Sequence, residues 1–137
     1  MVGRGGRAAL LALLLPALGC GAAAPDLFEV DRTGADRNAN VHLVVSDDGL
    51  VSCNDAEAVA LDADRLLTAR QLARDLGTQA ELGLELPRGR DPILSYRARL
   101  ESGTVGFADT SRNRPETFDR LAAFTADVAE NVCGLER

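Results

Sequence analysis

Three cysteines and one histidine are the side chains of this sequence that could most readily do chemistry: Cys20, Cys53, Cys133 and His42. His42 is the only imidazole, so a serine or cysteine nucleophile activated by histidine would have to use it. No serine lies in the context of a nucleophile elbow. Isolated cysteines with one histidine also lack the clustering that zinc sites require. The sequence therefore predicts no catalytic residue, no metal site and no cofactor.

Oxygen-bearing side chains between residues 36 and 47 have a spacing that resembles a calcium loop. Asp36, Asn38 and Asn40 alternate along the chain, and Asp47 follows Asp36 by eleven residues. The sixth position is Val41, where the sharp turn of such a loop needs glycine, and a strand pattern follows instead of a helix. We interpret this segment as a polar loop between strands.

The N-terminal segment has the pattern of an export signal. Arg4 and Arg7 precede an apolar stretch of eleven residues, 8–18, which is too short to span a bilayer of about 30 Å. The following Ala17-Leu18-Gly19-Cys20 resembles the bacterial lipobox, in which small residues precede a cysteine that receives a lipid. This resemblance implies a signal peptide over residues 1–19.

Lipidation of Cys20 would make this residue the mature N-terminus, followed by a short tether that ends at residue 25. The protein is then expected at the cell membrane, with its lipid anchor on the extracytoplasmic face. The alternative is an ordinary secretory signal that is cleaved near Ala22-Ala23-Ala24, which would discard Cys20 and release a secreted protein. Export is expected in both cases.

The remaining cysteines, Cys53 and Cys133, are predicted to form a disulfide bond. Three cysteines are an odd number for an exported chain. If Cys20 carries the lipid, the other two form one pair in an oxidising compartment.

Charge excludes nucleic acid as a partner. Removal of the signal removes Arg4 and Arg7 and leaves 13 arginines against 21 acidic residues, a formal net charge of −8. Nucleic acids and anionic lipid surfaces repel such a domain. Any membrane attachment must therefore come from the lipid.

Hydrophobic periodicity in the mature chain predicts strands, a helix, a hairpin and a second helix. Asp62 is a plausible N-cap of the first helix, and Pro115 suits the start of the second. The predicted strands cover 27–32, 41–45 and 50–53, the helix 61–80, the hairpin 93–101 and 104–110, and the last helix the segment from Pro115 to Gly134.

This element order predicts an α+β fold: an antiparallel sheet of about four to five strands with both helices packed on one face. The domain is expected to cover residues 26–137. The predicted disulfide would attach the C-terminal helix to the first half of the sheet.

Four arginines near the predicted hairpin are candidate partner-binding residues. Arg97 and Arg99 share one face of a strand, and Arg112 and Arg114 follow the hairpin. If the helices cover the opposite face, these side chains could form a basic patch that meets an acidic partner. The alternative is a solvated face that is balanced by nearby glutamate and aspartate.

Several short segments together resemble the emfourin family of small bacterial proteins. They are the first strand with its turn (28–34), a helix, the segments 96–103 and 107–109 of the hairpin, and the closing helix. Emfourins inhibit thermolysin-type metallopeptidases, so the resemblance implies a non-catalytic protein that binds other proteins.

We therefore expect a lipid-anchored protein-binding module whose partner is another envelope or secreted protein. The alternative is an emfourin-like inhibitor of a metallopeptidase. An enzyme of unknown type is the third hypothesis, which the lack of a catalytic constellation disfavours.

Overall fold

The structure is a computed structural model that describes Met1 and residues 26–136. Apart from Met1, the predicted signal peptide, Cys20 and the tether lie outside the described residues. Residues 26–136 form an α+β fold with one antiparallel sheet of six strands and two helices. The predicted fold class is therefore confirmed, with one strand more than expected.

The strands are β1 (Asp26–Gly34), β2 (Val41–Ser46), β3 (Leu50–Cys53), β4 (Val59–Ala60), β5 (Leu94–Leu100) and β6 (Gly103–Ala108), and the helices are α1 (Ala63–Glu81) and α2 (Glu116–Asn131). The spatial order of the strands is β4-β3-β2-β1-β5-β6. The first strand therefore lies inside the sheet, between β2 and β5.

Alternation of side chains gives the sheet one buried face. Val30 pairs with Leu43 of β2 and with Ala98 of β5, and all three are fully buried. Because side chains alternate along a strand, their neighbours in sequence point to the opposite side. The core thus lies on one side of the sheet.

Both helices cover this buried face, as predicted. The ring of Phe124 in α2 contacts Phe28 of β1 edge-on, with centroids 5.9 Å apart. Phe118, also in α2, stacks on Phe107 of β6 at 4.8 Å. Helix α1 contributes buried residues along one stripe, Ala69, Leu72, Leu76 and Ala80. The aromatic contacts fix α2 across the sheet.

Burial of the Tyr96 ring in the core changes the pKa of its phenol. Its ring stacks on Phe107, with centroids 4.9 Å apart. Burial raises the pKa of the Tyr96 phenol, because a low-polarity environment disfavours the phenolate. Tyr96 is thus a neutral member of the core.

An ion-pair cluster connects the two helices. The Asp62 carboxylate accepts a hydrogen bond of 3.0 Å from the backbone N–H of Arg65, which confirms the predicted N-cap. The Arg65 guanidinium donates to Asp127 of α2 at 2.7 Å and also contacts Asp62. These hydrogen bonds lower the pKa of both carboxyl groups. The cluster therefore stays charged well below neutral pH.

The largest differences from the predicted strands are the additional strand β4 and the greater length of β1. The additional strand β4 has only two residues, too few for any periodicity to be visible in the sequence. Strand β1 continues through Thr33 and Gly34, which were expected in a loop, because they pair with Ser95 and Leu94 of β5.

Neither helix in the described part of the chain has both the length and the apolar composition of a membrane span.

Candidate functional site

The side of the sheet opposite the helices is the candidate site. We call it the open face, and it is formed by the outward side chains of three adjacent strands: Glu29, Asp31, His42, Val44, Arg97 and Arg99. Asp31 pairs with His42 on one side and with Arg97 on the other. Glu29 lies in the same way between Val44 and Arg99. Two rows of side chains therefore cross the middle of the sheet, and each has a carboxylate of β1 between a residue of β2 and an arginine of β5.

Arg97 and Arg99 both point outward, as predicted, and each contacts a carboxylate. Arg97 pairs with Glu85 at 3.2 Å, and Arg99 pairs with Glu29 at 2.9 Å. Both arginine side chains are 59% exposed. Exposed pairs of this kind contribute at most about 1 kcal/mol to stability. Either guanidinium can therefore exchange its intramolecular partner for an external carboxylate at small cost.

His42 lies on the open face, where the strand pattern predicted it. Its Nδ1 is 2.7 Å from Oδ1 of Asp31, so the carboxylate orients the ring. Within the described residues, Asp31 is the only side chain that hydrogen-bonds to the imidazole. A base and an orienting acid are present, but no hydroxyl or thiol is hydrogen-bonded to the ring. Among the described residues, the pair is therefore an oriented imidazole without an adjacent hydroxyl or thiol nucleophile.

Beside Arg97 the open face contains a depression of about 360 Å³. Its walls include Asp31 and Thr33 of β1, Arg97 of β5, and Glu85 and Arg88 of the segment that follows α1. The lining combines charges of both signs with apolar residues such as Leu86 and Phe107. The charges favour a partner with complementary polar groups.

Glu85 is a component of the open face that was not predicted from the sequence. Its segment forms a single parallel bridge with β6, through hydrogen bonds of Leu86 N–H to the Gly106 carbonyl and of Gly106 N–H to the Leu84 carbonyl. A Cβ at Gly106 would lie 2.8 Å from the Glu85 carboxylate, so the Glu85 side chain packs directly over this glycine. The apolar-polar-apolar order Leu84-Glu85-Leu86 was the available signal for this extended segment.

The expectation that four arginines share one patch is corrected at Arg114. Its guanidinium donates to Asp119 at 2.7 Å and to the Ser111 carbonyl at 3.1 Å, and it also contacts the carbonyls of Ala108 and Asp109. Arg114 therefore holds the loop between β6 and α2 together. Arg112 is exposed in that loop, in a second depression beside Arg88. Arg97 and Arg99 are the members of the predicted set that lie on the open face.

Cys53 and Cys133 are joined by a disulfide, in agreement with the predicted pair. Their Cα atoms lie 6.3 Å apart, within the range that a disulfide spans. Cys53 ends β3, and Cys133 follows α2. The bond attaches the C-terminal end of α2 to the sheet, on the side opposite the open face.

The residues with calcium-like spacing lie in the connection between β1 and β2 and in the turn after β2. Residues Arg37–Ala39 form a short 3-10 turn, and the Asp47 carboxylate accepts a hydrogen bond from Arg70 at 3.0 Å. The described residues contain no group of three or more histidine, cysteine, aspartate or glutamate side chains that could hold a metal ion. The segment has the structure of a polar connection between strands.

Comparison with known proteins gave no match. No protein-family model matches the chain, and neither a curated protein nor a solved structure shows significant similarity to it. Function is therefore inferred from the residues and geometry of this chain.

Proposed function

We propose that this protein is a lipid-anchored, non-catalytic module of the cell envelope that binds another protein through the open face. One observation carries the proposal: both helices cover a single face of the sheet, and the other face presents Arg97 and Arg99 to solvent. Arginine is enriched at protein interfaces because its planar fork binds carboxylates through two hydrogen bonds.

The charges of the open face indicate the chemistry of the partner. Arg97 and Arg99 fit carboxylates on the partner surface, whereas Glu29, Asp31 and Glu85 fit its basic groups. A mixed arrangement of this kind gives specificity and orientation more than raw affinity. The matching partner is thus a folded protein with an acidic cluster bordered by basic residues.

The position of the domain supports a partner at the membrane or in the envelope. The first strand begins at Asp26, and five residues separate it from Cys20. Fully extended, these residues reach about 17 Å. A lipid on Cys20 would hold the folded domain close to the membrane surface.

The metallopeptidase-inhibitor hypothesis is the second candidate. The order of strands, helix, hairpin and helix on which the emfourin resemblance depends is also the order of elements in the structure. This order supports the hypothesis without identifying inhibitory residues. Assay of a thermolysin-type peptidase with the purified chain tests it directly, since an inhibitor would reduce peptide hydrolysis in proportion to its concentration.

Replacing Cys20 by alanine is expected to remove the anchor. The Cys20→Ala chain cannot receive a diacylglyceryl group, so it should accumulate unprocessed or appear in the medium. Fractionation of cells that express the wild-type and variant chains measures this, with Gln71→Ala on the exposed side of α1 as the control that retains all three cysteines. Unchanged membrane retention and unchanged processing of Cys20→Ala would contradict lipidation at this residue.

Photo-crosslinking in the native host is expected to capture the partner from the open face. A photoreactive amino acid at Thr33 or Thr104 lies on that face, because these residues pair with Ser95 and Arg99 on its outward side. The same probe at Leu67 or Gln71 lies on the exposed side of α1 and is the matched control. We expect a discrete adduct from the first pair and none from the second. Equal adducts from both pairs would contradict the proposal.

A further inference from the structure

Three arginines surround a pocket whose lining contains no carboxylate. The segment Pro87–Arg90 faces residues 110–113 across a depression of about 550 Å³. Arg88, Arg90 and Arg112 line it, together with Thr110 and Asn113. We call this the arginine pocket. It lies in the loops beside the sheet and borders the depression of the open face at Arg88.

These arginines differ from most of the others that the structure describes. Six arginines pair with carboxylates: Arg65, Arg70, Arg97, Arg99, Arg114 and Arg120. Arg88, Arg90 and Arg112 make no ion pair or side-chain hydrogen bond in the described part of the chain. Acidic residues outnumber basic ones in this protein, so an acid-free group of three arginines is not explained by composition. Like charges that share a site repel one another unless an anion neutralises them.

The two walls of the pocket are fixed against each other. The Ser111 hydroxyl is buried, donates to the Pro87 carbonyl at 2.9 Å, and accepts from the N–H of Ala108 at 2.9 Å. Gly89 packs directly on the opposite wall, since a Cβ there would lie 2.4 Å from the Thr110 carbonyl. Because the two loops are fixed against each other, their backbones are ordered before a ligand binds. This order reduces the entropic cost of binding.

We propose that the arginine pocket binds a phosphate group. Three guanidinium groups supply more positive charge than one carboxylate needs, whereas a phosphate monoester carries about 1.5 to 2 negative charges and three acceptor oxygens. Guanidinium forks bind phosphate oxygens through paired hydrogen bonds. The phosphate belongs either to a free ion or small phosphoester, or to the headgroup of a membrane lipid. This site is additional to the proposed function, because Arg90 and Arg112 lie outside the open face, and only Arg88 also borders its depression.

Titration of the full chain with inorganic phosphate tests the proposal. The chain is purified in a non-ionic detergent, and its backbone amide signals are followed by NMR at constant ionic strength against chloride. We expect saturable shifts at Arg88, Gly89 and Arg112. The double variant Arg88→Ser/Arg112→Ser should bind phosphate about tenfold more weakly or worse, since it removes two of the three guanidinium groups and their charge-assisted hydrogen bonds.

The matched control is Arg37→Ser/Arg74→Ser, which removes two exposed arginines that line no part of the arginine pocket. It should bind phosphate like the wild type. Unsaturable shifts, no shifts, or equal weakening in both double variants would overturn the proposal. Phosphatidylglycerol added to the micelles then distinguishes the sources. Displacement of inorganic phosphate by the lipid supports a headgroup ligand, and retention of inorganic phosphate supports a free phosphate or small phosphoester.

Discussion

The double variant Cys53→Ser/Cys133→Ser is expected to lose about 4.5 kcal/mol of the free energy of unfolding. The disulfide closes a loop of 80 residues, and without it the unfolded chain gains the entropy of that loop. Globular proteins have a total free energy of unfolding of about 5–15 kcal/mol. Removal of this one bond therefore takes away a large share of the stability.

Urea denaturation of the oxidised wild type and of the variant measures the loss as a shift in the transition midpoint. Reductant is the control, because it should destabilise the wild type to the level of the variant and leave the variant unchanged. A variant that unfolds at the same urea concentration as the oxidised wild type would contradict the predicted role of the bond. Mass spectrometry that finds both thiols free in protein from the cell envelope would contradict its formation.

Phe118→Ala is expected to destabilise the fold by about 3–5 kcal/mol. Phe118 is fully buried at the start of α2 and stacks on Phe107, which in turn stacks on Tyr96. Truncation leaves a cavity between α2 and the sheet, and it removes the aromatic contact that fixes the beginning of the helix.

The control for Phe118→Ala is Leu67→Ala in α1, whose side chain is 63% exposed. This change should cost less than about 0.5 kcal/mol, because surface substitutions rarely do more. Chemical denaturation monitored by circular dichroism compares the two variants. Equal stability of Phe118→Ala and Leu67→Ala would mean that α2 does not depend on the aromatic stack.

Elements with strong local signals were predictable from the sequence. The β-branched run 41–45 became β2, and the predicted return strand 50–53 coincides with β3. The N-cap Asp62 and the stripe of α1 followed from capping chemistry and helical spacing. The pairing of Cys53 with Cys133 followed from the cysteine count once Cys20 was assigned to lipid.

Features that depend on the path of the loops and on contacts in the folded chain were not predictable. Arg32 is only 9% exposed, because the segment 38–39 folds over it and two backbone carbonyls accept from its guanidinium. Arg114 is held by loop carbonyls in the same way, so its charge is not presented to a partner. Nothing in the local sequence separates these two arginines from the exposed Arg97 and Arg99. The parallel bridge that brings Glu85 beside Arg97 likewise exists only in the folded chain.

The affinity of the captured partner for open-face variants tests the central claim most directly. Arg97→Ser/Arg99→Ser removes the two outward guanidinium groups, and the fold should remain intact because both ion pairs are exposed. We predict that the dissociation constant rises about tenfold or more, as the loss of two interfacial arginines implies. The control Arg37→Ser/Arg74→Ser should bind like the wild type. Wild-type affinity of Arg97→Ser/Arg99→Ser would show that the open face is a solvated surface and would contradict the proposed function.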